Sequence, residues 1–242
     1  MSDEGKGYLL AGQLSELERL QLQSRVWEPT GRQLLSQLDG STGGMVLDVG
    51  CDGARSFLEA EGISNVDLVV DDLFDSKLEL RSFNLVHARF LIAPLGRGRE
   101  QVAAHRRLVK PGGWLVLEEW DTSSWHFNPP APAAERLIRL MYEIFATLGG
   151  DAGRELPALF REIGIADPGI DAHVIALKPG HPYLRLPLQF SVSLERPLLQ
   201  SVSADELASL RRAAEAELAD PARWGTTFTV VQSWGKVEGG SY

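Results

Sequence analysis

Cysteine is nearly missing from this 242-residue chain: Cys51 is the only one. A disulfide needs two, so no covalent framework holds the fold, and a reducing compartment is the expected setting. Positive charge is also short. Lys and Arg total 24 against 33 Asp and Glu, a net charge of −9, which disfavours an electrostatic grip on nucleic acid or on an anionic membrane surface. No apolar run approaches the ~20 residues of a membrane span. The opening MSDEGKGYLL is acidic and lacks the apolar stretch of a secretory signal, so the expected location is the cytoplasm. Histidine occurs five times, never in metal-ligand spacing, and no metal is expected. Internal repeats and low-complexity tracts are absent as well.

What is present suits one globular domain. The hydrophobic fraction is 44% and the charged fraction 24%, and the length falls within the usual domain range of roughly 100–250 residues. Leu14, Leu17, Leu34, Leu35 and Leu38 have helical spacing, with Pro29 expected to break the run. Met45–Val49 is a short apolar run stopped by Gly50, the pattern of a buried parallel strand. Ala54–Glu61 then reads as helix, Val66–Val70 as a second strand closing on Asp71 and Asp72, and Phe83–Phe90 as a third. A helix over Gly98–Leu108 leads to a Pro111-Gly112-Gly113 turn and a strand at Trp114–Glu118. This alternation predicts an α/β fold with a doubly wound, mostly parallel sheet. Beyond the proline-rich stretch 128–132, Leu137, Met141, Ile144, Phe145 and Leu148 form a helical stripe, and Arg154–Ile163 reads as another amphipathic helix. Strands at Asp171–Leu177 and Thr226–Trp234, separated by a helix near Asp205–Leu218, predict an antiparallel edge. The expected organisation is a single domain over 1–242. It comprises a helical cap at 1–40, a core at 41–125, a helical insertion or lid at 126–150, and the rest of the sheet at 151–242.

The segment that carries chemistry is Val46-Leu47-Asp48-Val49-Gly50-Cys51-Asp52-Gly53. A buried strand enters a glycine turn, and open parallel sheets bind ligands beyond the carboxyl ends of their strands. The turn matches neither the G-x-G-x-x-G dinucleotide fingerprint nor the P-loop. VLDVGCDG resembles the first motif of class I S-adenosylmethionine-dependent methyltransferases, FNLVHARFLIAPL their fourth-strand motif, and LVKPGGWLVLEE their fifth strand with its preceding turn. HPYLRLPLQF and TTFTVVQSWG extend a similarity to actinobacterial small-molecule methyltransferases over nearly the whole chain. The resemblance implies methyl transfer from S-adenosylmethionine to a small-molecule acceptor, with no nucleic acid or membrane partner and a homodimer as the one assembly entertained.

It also implies site residues. Asp48 resembles the acid that orients the glycine loop toward the methionine amine, and Gly50 and Gly53 the loop glycines. Asp72 resembles the aspartate that accepts a hydrogen bond from the adenine amino group. Ala88 and Arg89 resemble the strand end beside the methionine moiety, and Tyr8 and Arg25 helix residues that close over the cofactor. Asp48 is expected to be buried and bonded to amides of the loop.

Two departures stand against this pattern. Asp52 occupies a position where the family usually has glycine, which crowds a backbone meant to hug a ligand. Relative to the family, ~25 residues are absent after Gly53, about one helix and one strand with their loops. The carboxylate that would hold the ribose goes with them. Asp71 or Asp72, about 20 residues past the loop, is either re-employed there, if Val66–Val70 lies beside the first strand, or a solvated strand-end acid. A second function follows from these departures: a protein of this fold without methyl transfer, serving as a cyclisation or rearrangement catalyst or as a partner subunit.

His126, in SSWHFNPP, is the candidate general base, since an imidazole titrates near neutrality; a polar loop residue is the plainer reading. His87 is expected to serve packing, His181 to sit in a pocket loop, and Cys51 to be a small buried residue. Trp120, Trp125 and Phe127 are either pocket walls or core.

Overall fold

A computed structural model describes residues 14–38, 44–51 and 54–239. In chain order the elements are α1 (Leu14–Ser36), β1 (Val46–Val49), α2 (Ala54–Ala60), β2 (Phe83–Arg89), α3 (Ile92–Leu95), α4 (Gly98–Leu108), β3 (Val109–Asp121) and β4 (Phe127–Asn128). They continue with α5 (Pro132–Ala146), α6 (Ala152–Glu162), β5 (Gly169–His173), β6 (Ala176–Leu177), α7 (Leu186–Ser193), α8 (Glu195–Leu198), α9 (Ala204–Leu218), β7 (Trp224–Thr226) and β8 (Thr229–Lys236).

The main sheet runs β1-β2-β3-β8-β5. β1, β2 and β3 are parallel, β8 is antiparallel to β3, and β5 is antiparallel to β8, so β5 points the same way as the first three. The antiparallel strand thus lies one place in from the edge. A small sheet, β4-β7-β6, is antiparallel throughout. The predicted strand Thr226–Trp234 is divided between the two sheets, and so is Asp171–Leu177.

Alternation along the strands sends side chains to two faces. On one, Val86, Leu115 and Leu117 pack with Val102 and Leu108 of α4 and with Leu156 and Phe160 of α6. On the other, Leu85 and Val116 pack with Leu34 and Leu38 of the first helical segment. α5 is apolar on its inner face (Leu137, Leu140, Met141, Phe145 all buried) and packs on α7 and α9.

Two expectations of turns are corrected. Pro29 does not break α1, which continues through it. A proline removes one backbone donor and crowds one carbonyl. Here it stands on the exposed side, while Trp27 and Leu34 bury the opposite side and hold the helix on course. Pro111-Gly112-Gly113 is not a turn before β3 but an irregularity within it. The register jumps from Phe83↔Val109 to Leu85↔Trp114, and Gly112 at φ +80° donates its N–H to Val237.

The larger correction concerns Val66–Val70. It forms no strand and pairs with neither sheet, so the shortened unit is not a working β-α-β crossover. A strand is stabilised by its ladder and by cover on its faces, and this one has neither. Val69 is 62% exposed and Val70 fully so. Between Leu38 and Phe83 no described residue is buried. β1 is consequently an edge, with Met45 and Val46 about half exposed. The Phe74 ring lies 3.8 Å beneath the Arg97 guanidinium, and the chain regains the core at Leu78.

Candidate cofactor site

The carboxyl ends of β1, β2 and β3 meet beneath α1. β1 ends at Gly50, which has φ +85°, and a Cβ there would lie 2.6 Å from Leu91 Cδ2. Glycine is therefore required twice over, by conformation and by close packing. β2 ends in Ala88, which is buried, and Arg89; Phe90 follows with φ +57°. A bulky residue in that region is strained by roughly 1–3 kcal/mol. Its N–H donates to the Glu118 carbonyl at 2.9 Å, and its ring meets Phe228 edge-on, which holds it there.

Asp48 is placed differently from expectation. Its side chain is 60% exposed, and its Oδ1 accepts from the ring of His87 at 2.6 Å rather than from a loop amide among the described residues. The reason is register: Asp48 lies directly opposite His87 in the parallel pair. His87 Nε2 in turn meets Glu118 Oε1 at 2.8 Å. Glu118 also accepts from Arg89 Nε at 3.2 Å and from Gln232 Nε2 at 2.8 Å, and Gln232 Oε1 meets His173 Nε2 at 3.1 Å. The result is one polar row across all five strands: Asp48, His87, Glu118, Gln232, His173.

The charges within the row explain one another. Burial opposes a charge on His87, but hydrogen bonds and attraction from Asp48 and Glu118 outweigh it, and its pKa rises to about 9. Burial likewise pushes the Glu118 carboxyl up, while His87 and Arg89 bring it down to about 2. On the opposite face of β3, Glu119 has no cationic partner among the described residues. Burial raises it to about 7 against the pull of the amides of Ile92, Ala93 and Leu91. α1 seals the row at Gly31, where an added Cβ would stand 2.7 Å from Arg89 Nη2 and 3.2 Å from Glu118 Oε1.

Beside the row lies an aromatic cluster centred on Phe228. Trp27 stacks on it at 5.5 Å, and Phe90, Trp120 and Trp125 meet it edge-on. Tyr183 accepts a hydrogen bond from Trp27 Nε1 at 3.1 Å, and burial pushes its hydroxyl pKa up. Trp120, Trp125 and Phe127 are all buried and belong to the core.

The other expected residues scatter. Tyr8 and Gly53 lie outside the described residues, as does Asp52. Arg25 is on the exposed side of α1. His126 is exposed, and its backbone rather than its ring is engaged, bonding Thr226 between the strands of the small sheet. Asp71 and Asp72 hold their own turn. Asp71 accepts from Ser76 Oγ at 2.5 Å and from the Lys77 and Asp72 amides, and these bonds lower its pKa. Asp72 caps the short helical turn Leu73–Asp75 through the Phe74 amide. Neither can sit beside β1 as a ribose ligand would, because Val66–Val70 is not in the sheet. The packing role expected for His87 is corrected to a polar one between two carboxylates, and Glu118 and Gln232 were not expected at the site. A histidine and a glutamate in otherwise apolar strands were the only signal for them.

No family model matches the chain. The strand order and helix placement are those of a Rossmann-like α/β fold. Solved structures similar over most of their length include the YcgJ protein of Bacillus subtilis, with a TM-score of 0.54 at 13% identity, covering 86% of this chain and 98% of that one. A proposed methyltransferase of an antibiotic biosynthesis pathway in Anabaena variabilis is similar too, with a TM-score of 0.53 at 13% identity, covering 85% and 96%. Among curated proteins, the chain is 30% identical over 88 residues to the Penicillium methyltransferase grgD, covering 36% of this chain and 30% of that protein. It is 28% identical over 120 residues to the N-methyltransferase tcpN of Claviceps purpurea, covering 47% and 43%. The chain thus spans less than half the length of these relatives.

Proposed function

We propose that this chain transfers a methyl group from S-adenosylmethionine to a small-molecule acceptor. The observation that carries the reading is Asp48, an open carboxylate at the end of β1 immediately before the Gly50 turn, in a sheet of the methyltransferase fold. Its similarity to two fungal methyltransferases adds support. An exposed acid at this edge suits the cationic amine of the cofactor's methionine end, beside the Gly50 turn and the end of β2 at Ala88 and Arg89. The cofactor supplies an activated methyl on a sulfonium. The chain's own task is to hold acceptor and donor in line and to exclude water from the buried aromatic floor at Trp120 and Phe228. An acceptor that must lose a proton needs a base, for which His126 is the candidate.

The ribose end fits less well. Among the described residues no strand lies beyond β1 to present a carboxylate, and Asp71 and Asp72 are engaged in their own turn. Charge-assisted hydrogen bonds are worth roughly 1.5–3 kcal/mol each, so losing two weakens affinity about 100-fold or more. The same feature favours the second reading, a methyltransferase fold without methyl transfer. Calorimetric titration with S-adenosylmethionine separates them. Dissociation constants weaker than about 100 μM, with methyl transfer to an amine or hydroxyl acceptor in a labelled-donor assay, are expected. No heat at millimolar cofactor would leave the second reading standing.

A further inference from the structure

The polar row contains an arrangement that catalysis alone does not explain. Both ring nitrogens of His87 face carboxylate oxygens, Nδ1 toward Asp48 at 2.6 Å and Nε2 toward Glu118 at 2.8 Å. A neutral imidazole has one donor and one acceptor nitrogen, so one of these contacts would set a lone pair against a carboxylate. Only the imidazolium donates at both. The ring is buried, Glu118 is 1% exposed, and Asp48 is the open end of the row.

We propose that His87 is a positioning residue for the cofactor: a fixed imidazolium that clamps Asp48 and, through it, the edge strand β1 in the place where the cofactor amine is met. The inference rests on the methyl-transfer reading, since it is Asp48 that His87 serves.

The surroundings support a permanent charge and a mechanical role. Asp48 and Glu118 carry negative charge, and His87 and Arg89 carry positive charge, so the four together are neutral. The charged groups facing the ring are Asp48 from β1, Glu118 from β3 and Arg89 two residues on in β2; His105 of α4 stands on the other side of the sheet and is kept neutral by burial. β1 pairs on one side only and has no buried residue of its own. Leu47 and Val49 pack against the core, and the polar tie at the ligand end is the bond from Asp48 to His87. Without the ring, Asp48 keeps its charge but loses its fixed direction, and the end of β1 loses an anchor. The exposed part of the carboxylate is left for a ligand donor because the ring holds only Oδ1.

The test uses the full chain labelled with ¹⁵N-histidine, and S-adenosylhomocysteine as the probe. Between pH 6 and 8, both His87 ring nitrogens are expected at protonated shifts, and both should move as S-adenosylhomocysteine is added. His87→Gln and Asp48→Asn are each expected to weaken its binding about ten- to a hundredfold. The double variant should be little weaker than either single one, because the first residue acts through the second. An unprotonated ring nitrogen in the wild-type chain overturns the proposal without any need for a variant to fold. So does multiplication of the two single effects. If the probe binds and the His87 resonances stay in place, the positioning role fails while methyl transfer stands. If His87 is an imidazolium and the wild-type chain gives no binding heat, the methyl-transfer reading fails and the positioning role goes with it.

Discussion

At the scale of single residues, charge in this protein is governed by which partner the sheet register supplies. Glu118 and Glu119 are neighbours in sequence and both are buried, yet one is pulled down to about 2 and the other pushed up to about 7. Alternation along β3 turns Glu118 toward His87 and Arg89 and turns Glu119 toward backbone amides alone. A pH dependence of stability follows. The His87 pKa in the fold, about 9, lies above its ordinary 6.5, so folding takes up a proton between those values. That stabilisation is complete below pH 6.5, shrinks as the pH rises, and is gone above about 9. Glu119 makes a separate loss between its ordinary 4.5 and about 7, so the interval above pH 7 isolates His87. Urea unfolding midpoints are expected to fall from pH 7 to 9.5, and His87→Gln should flatten that fall. A midpoint constant across the interval would show a ring that is uncharged in the fold.

Among the elements, strength is unevenly shared. β2 and β3 bury nearly every residue between Phe83 and Ala88 and between Val116 and Asp121, whereas α2 and the segment through Val70 bury none that is described. The consequence is a contrast between two valine-rich or leucine-rich stretches that look alike in sequence. Leu117→Ala, at 1% exposure in β3, is expected to cost about 2–5 kcal/mol, the range for a truncated core leucine. Val70→Lys should shift stability by no more than about 0.5 kcal/mol, since the side chain leaves no contact behind. Chemical denaturation of both variants checks the pair. A loss of several kcal/mol at Val70 would place that segment in the sheet after all. The two corrections at Pro29 and at Pro111-Gly112-Gly113 belong to this scale as well. Both residues that break regular structure were recognised, but each falls where the break does no harm: one on the solvent side of a helix, the other at an irregularity in a strand that continues past it.

For the molecule as a whole, the main sheet has two edges, β1 and β5. The β5 edge exposes Ile170 beside polar residues, Asp171 and His173, that discourage pairing with another chain. The β1 side exposes Val46 in the strand and Met45 just before it, with Val66, Val69 and Val70 also exposed in the following segment. An open edge with exposed apolar residues is an aggregation hazard. Val46→Lys combined with Val69→Lys is expected to raise the concentration at which the chain precipitates. Its melting temperature should change by no more than about 2 °C, as for surface substitutions in a domain of this size. Light scattering during concentration, with a thermal melt alongside, measures both. A large drop in melting temperature would mean that these valines are part of the core. Among the described residues no helix is long and apolar enough to cross a membrane.

What the sequence determined by itself was the part written in local signals. Short apolar runs marked β1, β2 and the later part of β3, the helical stripes marked α4, α5, α6 and α9, and the VLDVG turn marked the candidate site. These signals are legible because each depends on neighbours within one strand or one helical turn. Only the tertiary structure decided which runs pair and which polar groups meet. Val66–Val70 has the composition of a strand, but a strand exists only where another chain segment completes its ladder, and none does. Asp48, His87 and Glu118 stand 39 and 31 residues apart along the chain. Their union is a matter of register between strands, which no local pattern encodes, so a buried histidine-carboxylate contact leaves no trace in the sequence around either residue.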